Sequence, residues 1–486
     1  RTQMATKRTA STVSALAIKS LADLPGPTSI PIIGSITNYK FGKSAIENYH
    51  NDLLSMQKRF GDIFKEQLPF GSGFRVHIFK PEDARTLFLS DGKKPYIVPL
   101  QSTTQKYRQL RGMNPGLGNL NGDEWYRLRS AIQQAMMRPD SVYEYLPSVN
   151  EVAQQLVEHI AARRDSNGEA DFAKIAGRWS LESAGLIVFE KRLGALSSNA
   201  EWADRMVDLN KQIFRLSAKM KFGIPVYEYV MTPNWWKMVR MEDKFYWEVD
   251  QLSTNAIKKL TSEKEDAQIR FASKLINKPN LSVTDLKTIL LSLFSDGLST
   301  TAPTLIYTLF VLATNPEAQM KLREELRSVN PTRADWTTEM LNRAPYLRAC
   351  LKESFRMHTI TTEISRVPQQ DVVLSGYLIP AKTPVDIHTS LTLRNSSSFV
   401  DPDQFKPERW LRDEKNREDN RPFLSTPFGH GPRMCAGRRF AEQDLHVVIA
   451  TLLSSFDIIH HHSPISQKYE TLLMPAGNCN FRFDRI

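Results

Sequence analysis

One cysteine near the C-terminal end of the chain stands in a segment whose composition suits metal chemistry. The residues from Phe428 to Gly437 read FGHGPRMCAG, so three glycines, a proline and Arg433 surround Cys435. We predict that a helix from Ala436 to about Ser455 begins directly after this cysteine. The free N–H groups and the positive dipole end at the start of a helix favour a thiolate over a thiol. The segment therefore predicts a single, stabilised thiolate.

The rest of the segment indicates what such a thiolate would bind. The chain has three cysteines, Cys350, Cys435 and Cys479, and no CxxC pair, which argues against zinc and iron–sulfur cages. Glycine lets the backbone approach a flat group closely, and the Arg433 guanidinium offers paired donors to a carboxylate. Haem iron with one axial cysteine fits this set. The segment by itself leaves a buried structural cysteine in a glycine-rich turn as the alternative.

The spacing of the segment removes that alternative. Phe428-Gly429-x-Gly431-x-Arg433-x-Cys435-x-Gly437 resembles the haem loop of the cytochrome P450 superfamily. The resemblance extends over the chain from about Leu24. It implies haem b as the cofactor and Cys435 as the metal ligand, with Phe428 and Gly437 shaping the loop around it.

Other landmarks of the family follow in the expected order. Glu353 and Arg356 match its ExxR pair, and their i, i+3 spacing puts them on one face of a helix. In the family this pair binds the arginine of a PERF-like turn, which here reads PERW and contains Arg409. The resemblance implies that the three side chains meet in the folded protein.

Four side chains match the family's contacts to the haem propionates. Trp125 and Arg129 form the WxxxR pattern of one helix, and Arg366 and Arg433 match the other propionate partners. Buried carboxylates without partners are costly, so two propionates require cationic donors. The resemblance therefore implies that these arginines, from three separate segments, converge on one site.

A long apolar segment carries residues suited to oxygen chemistry. We predict a helix from about Val283 to Thr314, begun by the cap-like SVTD. SDGLSTTAP interrupts its apolar run, and its polar middle favours a buried central helix over a membrane span. Pro303 has no N–H for the carbonyl of Ser299, so we expect the hydrogen-bond ladder to open there. Such an opening would leave a carbonyl and hydroxyl groups free to hold water.

This stretch resembles the AGx(D/E)TT motif, in which the first threonine, here Thr300, organises protons for oxygen activation. Ser299 stands where the family has an acid, and Asp296 stands where it has a small residue. Asp296 and Thr300 are one turn apart on one helix face. Three hypotheses remain open: Asp296 replaces the missing acid, it contacts a polar group of the substrate, or oxygen activation is altered.

The composition narrows the classes of partner. The chain has 486 residues and a net charge of +11, which suits nucleic acid, an anionic membrane or an acidic protein. Long basic runs and nucleic-acid-binding motifs are lacking, so we expect no nucleic acid. Residues 1–23 are basic, rich in serine and threonine, and free of acids before Asp23. They predict a mitochondrial targeting segment or a disordered tail, followed by a single haem domain over residues 24–486.

Two further segments are similar to the mitochondrial class of the family. CAGRRFAEQD carries Arg438 and Arg439 after the cysteine, and YLRACLKES carries Arg348 and Lys352 on one helix face. A basic surface suits an acidic [2Fe–2S] ferredoxin, although a solvated basic helix face is the alternative. Within that class, GMNPGLGNLNGDEWYRLRS and FSDGLSTTAP most resemble nematode mitochondrial-type enzymes. The class implies the matrix side of the inner mitochondrial membrane, with peripheral membrane contact.

We therefore expect a mainly α fold with a small β region, the cytochrome P450 fold. The predicted activity is monooxygenation of a lipophilic small molecule, such as a steroid or another lipid, by dioxygen. Electrons would come from NADPH through a ferredoxin reductase and a ferredoxin. The alternatives are a haem-thiolate isomerase or dehydratase that needs no external electrons, and a non-catalytic haem-based sensor. Candidate pocket residues are Phe294, Gly297, Ile360–Ile364 and Met474–Ala476, under a roof of Phe214, Trp235 and Trp236.

Overall fold

The computed structural model describes residues 18–35, 46–71, 73–221, 225–262, 271–411 and 423–486. Within these residues the chain is mainly helical, as predicted. The α-helices, numbered in chain order, are α1 (Tyr49–Phe60), α2 (Pro81–Ser90), α3 (Ser102–Leu110), α4 (Gly122–Met136), α5 (Pro139–Tyr143), α6 (Leu146–Arg163), α7 (Phe172–Phe189), α8 (Ala200–Lys221), α9 (Pro233–Ser262), α10 (Phe271–Ile276), α11 (Val283–Ala313), α12 (Pro316–Val329), α13 (Thr338–Asn342), α14 (Pro345–Met357) and α15 (Arg438–Ser455).

The β region is small and consists of short strands. They are β1 (Ile63–Gln67), β2 (Phe74–Ile78), β3 (Glu169–Asp171), β4 (Ile364–Arg366), β5 (Val372–Leu374), β6 (Tyr377–Ile379), β7 (Val385–Ile387), β8 (Phe456–Ile459), β9 (Ser466–Glu470), β10 (Leu472–Ala476) and β11 (Asn480–Arg485). One sheet has the order β1-β2-β7-β4 and another the order β3-β11-β8, while β5-β6 and β9-β10 form hairpins. Parallel pairing of β2 with β7 places Val76 opposite Val385 and Ile78 opposite Ile387 in the core.

The central helix α11 begins at a reciprocal cap. Ser282 Oγ accepts a hydrogen bond from the Asp285 N–H at 3.1 Å, and Asp285 Oδ2 accepts one from the Ser282 N–H at 2.8 Å. This capping box satisfies two groups that the first helical turn would otherwise leave free. The helix then packs along α7, which is buried from Ile175 to Phe189. The predicted helix is therefore confirmed, with its end at Ala313.

The same helix is long and apolar enough to cross a membrane by length and composition alone. However, 67% of its most apolar window is buried inside the protein. A helix that is apolar on all sides is expected at the centre of a large core. The structure thus agrees with the interpretation of α11 as a buried central helix.

The segment before Leu24 belongs in part to the folded body. The Lys19 N–H donates to the Gly376 carbonyl at 3.0 Å, and the Leu378 N–H donates to the Lys19 carbonyl at 2.8 Å. These bonds attach the segment to the β5-β6 hairpin, so residues 18–23 extend the domain beyond its predicted start at 24. Residues 1–17, which contain most of the predicted targeting segment or tail, lie outside the described residues.

Candidate active site

A cavity of about 840 Å³ lies between α11 and the loop that precedes α15. It is lined by every residue that the sequence predicted to bind the cofactor or to act in catalysis. These residues are Trp125, Arg129, Asp296, Ser299, Thr300, Arg366, Phe428, Arg433, Cys435 and Gly437. The fold therefore brings together side chains that are more than 300 positions apart in the sequence.

The cysteine loop closes on itself below this cavity. The Cys435 N–H donates to the Phe428 carbonyl at 2.8 Å. Gly429 and Gly431 have φ angles of 71° and 73°, a left-handed conformation that residues with a Cβ rarely adopt. The phenyl ring of Phe428 contacts that of Phe355 edge-on, with 5.4 Å between their centroids. The glycines are thus required by the turn that presents the thiol.

Cys435 lines the internal cavity. Its side chain is therefore exposed to the space of the cavity, although it lies inside the protein. Burial raises the pKa of this thiol, and the charge of Asp296 acts in the same direction. The backbone N–H groups of Gly437 and Arg438 and the charge of Arg129 lower the pKa. Helix α15 begins at Arg438 with Gly437 as its N-cap, so it starts two residues later than predicted. The donors at its start still face the sulfur.

Three arginines converge beside the cysteine loop. Arg433 donates from Nε to the Pro95 carbonyl at 3.0 Å and from Nη2 to Asn121 Oδ1 at 2.7 Å, and its guanidinium lies 4.0 Å from the Trp125 ring centroid. Burial, together with the charges of Arg366 and Arg129, lowers the pKa of Arg433 to about 9. The site therefore concentrates positive charge.

The partners of the other two arginines leave this charge largely uncompensated. Arg129 Nη2 donates to the Met434 carbonyl at 2.7 Å, while its buried Nε has no hydrogen-bond partner among the described residues. Arg366 Nε donates to Asp91 at 2.6 Å, and its Nη2 donates to the His430 carbonyl at 3.0 Å. The negative charge of Asp91 favours the charged form of Arg433 and so raises the pKa of that guanidinium. An unpartnered buried donor and excess positive charge fit an anionic group that enters the cavity.

These observations agree with the donor set that haem needs. A thiol at the cavity floor, three arginines for two propionates and an orphaned guanidinium nitrogen all face one space. The residues present therefore fit the cofactor that the sequence predicted.

The hydroxyl groups of α11 differ from expectation. The helix continues through Gly297 and Pro303 without a break. Thr300 Oγ1 and Ser299 Oγ both donate to the Asp296 carbonyl, at 2.9 and 3.1 Å. The helix therefore does not break as predicted, and the two hydroxyls bond within their own helix instead of remaining free. Pro303 still supplies no N–H to the Ser299 carbonyl. Each hydroxyl oxygen retains its acceptor capacity.

Asp296 presents an ionisable group to the cavity. Among the described residues, nothing donates a hydrogen bond to its carboxylate. Burial raises its pKa to about 6, although the positive charge of Arg108 acts in the opposite direction. A carboxyl group with this pKa exchanges protons near neutral pH.

The predicted substrate pocket needs several corrections. Gly297, Phe214 and the segment from Ile360 to Ile364, except Thr362, line the main cavity. Phe294 does not, because its ring packs in the core at 5.0 Å from that of Phe189. The residues Met474–Ala476 line a separate cavity of about 350 Å³. This difference reflects side-chain direction, which sequence spacing does not define.

The predicted roof is also different. The indole of Trp235 is buried against the Tyr227 ring, with 5.5 Å between the ring centroids. The Arg240 guanidinium carbon lies 3.7 Å from the ring centroid of Trp236. Neither tryptophan lines the cavity. Tyr227 and Phe70 line the cavity instead.

One buried acid that lines the cavity was not predicted. Asp444 of α15 accepts a hydrogen bond from Ser183 Oγ, while its Oδ1 has no partner among the described residues. Burial raises the pKa of Asp444 to about 7. The sequence signal was weak, because an acid in the second turn of a helix usually faces solvent.

A basic surface lies on the same side as the cysteine loop. Arg438 and Arg439 are exposed at the start of α15, and Lys352 is exposed on α14. Burial, together with the charges of Arg348 and Lys352, lowers the pKa of His446 in α15 to about 4. The basic residues of α14 are therefore close to the helix that follows Cys435.

Apolar side chains are exposed in two segments that also contribute residues to the cavity lining. Tyr229, Val230 and Met231, between α8 and α9, are exposed, with Tyr229 at 82%. Ile32 and Phe70 are exposed as well, and the Phe70 N–H donates to the Ile32 carbonyl at 2.6 Å. Exposed apolar residues grouped in this way are typical of an interaction surface.

Comparison with known proteins agrees with the site. The family model described as Cytochrome P450 matches residues 24–483. Probable cytochrome P450 CYP44 of Caenorhabditis elegans is 52% identical, and the alignment covers 96% of this chain and 94% of that protein. The mitochondrial 1,25-dihydroxyvitamin D(3) 24-hydroxylase of Rattus norvegicus is 30% identical, with 96% and 89% covered. Probable cytochrome P450 12d1 proximal, mitochondrial, of Drosophila melanogaster is 29% identical, with 96% and 92% covered. The chain belongs to the cytochrome P450 family, whose members are haem b monooxygenases with a cysteine thiolate ligand.

Proposed function

We propose that Cys435 is the thiolate ligand and that the protein is a mitochondrial-type monooxygenase of a lipophilic substrate. The observation that carries this proposal is the convergence of Cys435 with Arg129, Arg366 and Arg433 around one cavity. The bound haem would supply the activation of dioxygen, which no amino-acid side chain can perform alone.

The residues of the chain would divide the remaining work. The three arginines and Trp125 would hold the propionates, since charge-assisted hydrogen bonds to carboxylates are strong. The N–H groups of Gly437 and Arg438 would stabilise the thiolate form of Cys435 against the burial that raises its pKa. Asp296 and Thr300 would hold and transfer the protons that the reaction consumes, because they share one face of α11 above the cysteine.

The electron donor that fits the basic surface is an acidic [2Fe–2S] ferredoxin, reduced by NADPH through its reductase. Arg348, Lys352, Arg438 and Arg439 would attract it, and this surface adjoins the helix that follows Cys435. Attraction between opposite charges raises the rate of encounter. The relatives named as mitochondrial support this class and a location in mitochondria. Within them, the proposed location is the matrix side of the inner membrane.

The exposed apolar residues near the cavity lining support peripheral membrane contact. If Tyr229, Val230, Met231, Ile32 and Phe70 enter the lipid surface, the cavity opens toward the membrane. A lipophilic substrate, such as a steroid or another lipid, would then enter the cavity without crossing water.

The test is reconstitution with NADPH, a ferredoxin reductase and a ferredoxin. The haem-loaded protein should give a ferrous carbon monoxide adduct with the far red-shifted Soret band of a thiolate ligand. It should also consume NADPH in a ferredoxin-dependent way when a lipid extract is added. An isomerase or dehydratase would convert its substrate without NADPH, and that result would replace the monooxygenase proposal.

A further inference from the structure

Polar side chains form a continuous group in the wall of the main cavity. Gln101 precedes α3, Thr104 and Arg108 belong to α3, Glu242 belongs to α9, and Ser292 belongs to α11. We call these five residues the polar band. None of them carried a motif in the sequence, because they come from three helices that are far apart along the chain.

The members of the polar band are neighbours in space. Thr104 Oγ1 lies 2.8 Å from Glu242 Oε1 and 3.0 Å from Gln101 Oε1, and it can donate to either. A Cβ added to Gly116 would lie 1.9 Å from Arg108 Nη1 and 2.9 Å from Ser292 Oγ. The Arg108 and Ser292 side chains are therefore close together as well.

Several groups in the polar band lack partners within the described part of the chain. Ser292 Oγ and Gln101 Nε2 are buried and make no hydrogen bond. Arg108 and Glu242 are 7% and 6% exposed. Their opposite charges attract each other, but no direct ion pair joins them among the described residues. Arg108 Nη1 donates to the Pro115 carbonyl at 2.9 Å. Unpaired polar groups and charges inside a protein are costly, so a ligand with polar atoms is expected here.

The mixture of charges selects the kind of ligand. The carboxylates of Glu242 and Asp296, whose charges both act on Arg108, would repel an anionic ligand. The Arg108 guanidinium would repel a cationic one. A hydroxyl group both donates and accepts, so it can face a carboxylate and a guanidinium at once. Other parts of the same wall, such as Leu117, Ile187 and Leu291, are apolar.

We propose that the cavity binds a neutral lipid with hydroxyl groups and that the polar band holds at least one of them. Glu242 accepts from the hydroxyl, and Arg108 and Gln101 donate to it. This inference rests on the proposed function, since it names the class of substrate for the same cavity. It assigns specificity to residues that take no part in the chemical step.

The test uses the haem-loaded protein and sterols that differ in their hydroxyl groups. Dissociation constants are measured by the haem difference spectrum and by calorimetry for cholestane, cholesterol and 25-hydroxycholesterol, which carry none, one and two hydroxyls. Dodecanoate and dodecylamine serve as charged probes. We expect the most hydroxylated sterol, 25-hydroxycholesterol, to bind most tightly. Each hydroxyl that makes a hydrogen bond to a charged group should lower the dissociation constant about tenfold.

Variants then locate the effect. Glu242→Gln keeps an acceptor for Thr104 but removes the charge, and Gln101→Met removes the free donor. Each should weaken binding of 25-hydroxycholesterol about tenfold and leave cholestane unchanged. Ile187→Val, in the apolar wall, should affect both sterols equally.

Each outcome decides the inference. Equal affinity for all three sterols, or equal losses in the variants, would overturn it. Tighter binding of dodecylamine that Glu242→Gln abolishes would assign the polar band to a cation instead. A protein with a normal carbon monoxide spectrum that binds none of the probes would overturn the inference alone. If the unmodified haem-loaded protein does not show that spectrum, the proposed function itself is wrong.

Discussion

Glu353 and Arg356 form a bidentate pair in which both side chains are fully removed from solvent. Arg356 Nε donates to Oε2 at 2.9 Å, and its Nη2 donates to Oε1 at 2.8 Å. Arg409 Nε and Trp410 Nε1, from the PERW turn, donate to the same carboxylate at 3.2 and 2.8 Å. One buried carboxylate thus joins α14 to a turn 53 or more positions further along the chain.

Replacement of this carboxylate should be strongly destabilising. Glu353→Ala leaves two buried guanidinium groups without a counter-charge, which costs about 3–5 kcal/mol. Denaturant unfolding of the haem-loaded protein measures the loss. Glu442→Ala is the matched control, because its partner Arg438 is exposed and such pairs contribute about 1 kcal/mol or less. Equal midpoints for the Glu353→Ala and unmodified proteins would contradict the prediction.

The role of Cys435 predicts a spectroscopic result. Cys435→Ser should remove the far red-shifted Soret band of the ferrous carbon monoxide adduct, because a serine oxygen does not replace the thiolate. Cys479→Ser, at a buried thiol away from the cavity, should keep that band. A band that persists in Cys435→Ser would assign the iron ligand to another residue.

The basic surface predicts a separation of two affinities. Reversing the charge of Arg348, Lys352 or Arg439 to Glu should raise the apparent KM for ferredoxin and weaken the salt dependence of haem reduction. The spectral Kd for substrate should stay unchanged. Lys258→Glu, with the same charge change on α9, is the control. The docking hypothesis fails if the substrate Kd moves while the ferredoxin kinetics do not.

Asp296 predicts a change in coupling rather than in binding. Asp296→Asn should bind substrate and accept electrons normally, but product per NADPH should fall and hydrogen peroxide should rise. In the unmodified protein the fraction of protonated Asp296 decreases as the pH rises through about 6, so coupling should decrease there as well. The variant should lose this dependence. Lost affinity with normal coupling would instead make Asp296 a substrate contact.

Two acids with opposite pKa shifts, the buried Asp444 and the partly exposed Asp285, predict opposite pH effects on stability. Asp444 has its pKa raised to about 7 by burial, so the folded protein loses stability as the pH rises from about 4 to 7. Asp444→Asn should flatten this decline.

Asp285 supplies the comparison. Hydrogen bonds from Arg127 lower its pKa to about 2, so it contributes stability above about pH 4 that disappears as the pH falls through 2. Asp285→Asn should therefore destabilise at neutral pH. Unfolding midpoints measured at several pH values test both variants. If the two variants change the pH dependence of stability in the same way, the opposite effects predicted for Asp444 and Asp285 are wrong.

The sequence alone determined the features that depend on local spacing. The glycine positions around Cys435, the ExxR and PERW patterns and the cap at Ser282 each fix a local geometry, because a turn, a helix face and a cap involve neighbouring residues. Together these patterns resemble those of the cytochrome P450 family, and that resemblance predicted the fold class, the cofactor and the residues that line the cavity around Cys435.

The tertiary structure decided what depends on side-chain direction and on distant neighbours. Phe294 packs in the core although it lies only two residues from Asp296, because positions two apart on a helix point to nearly opposite sides. The hydroxyls of Ser299 and Thr300 bond to their own helix, which spacing could not exclude. Arg108, Glu242 and Ser292 meet through the packing of α3, α9 and α11. The burial that raises the pKa of Asp444 likewise arises from the residues that surround it in space.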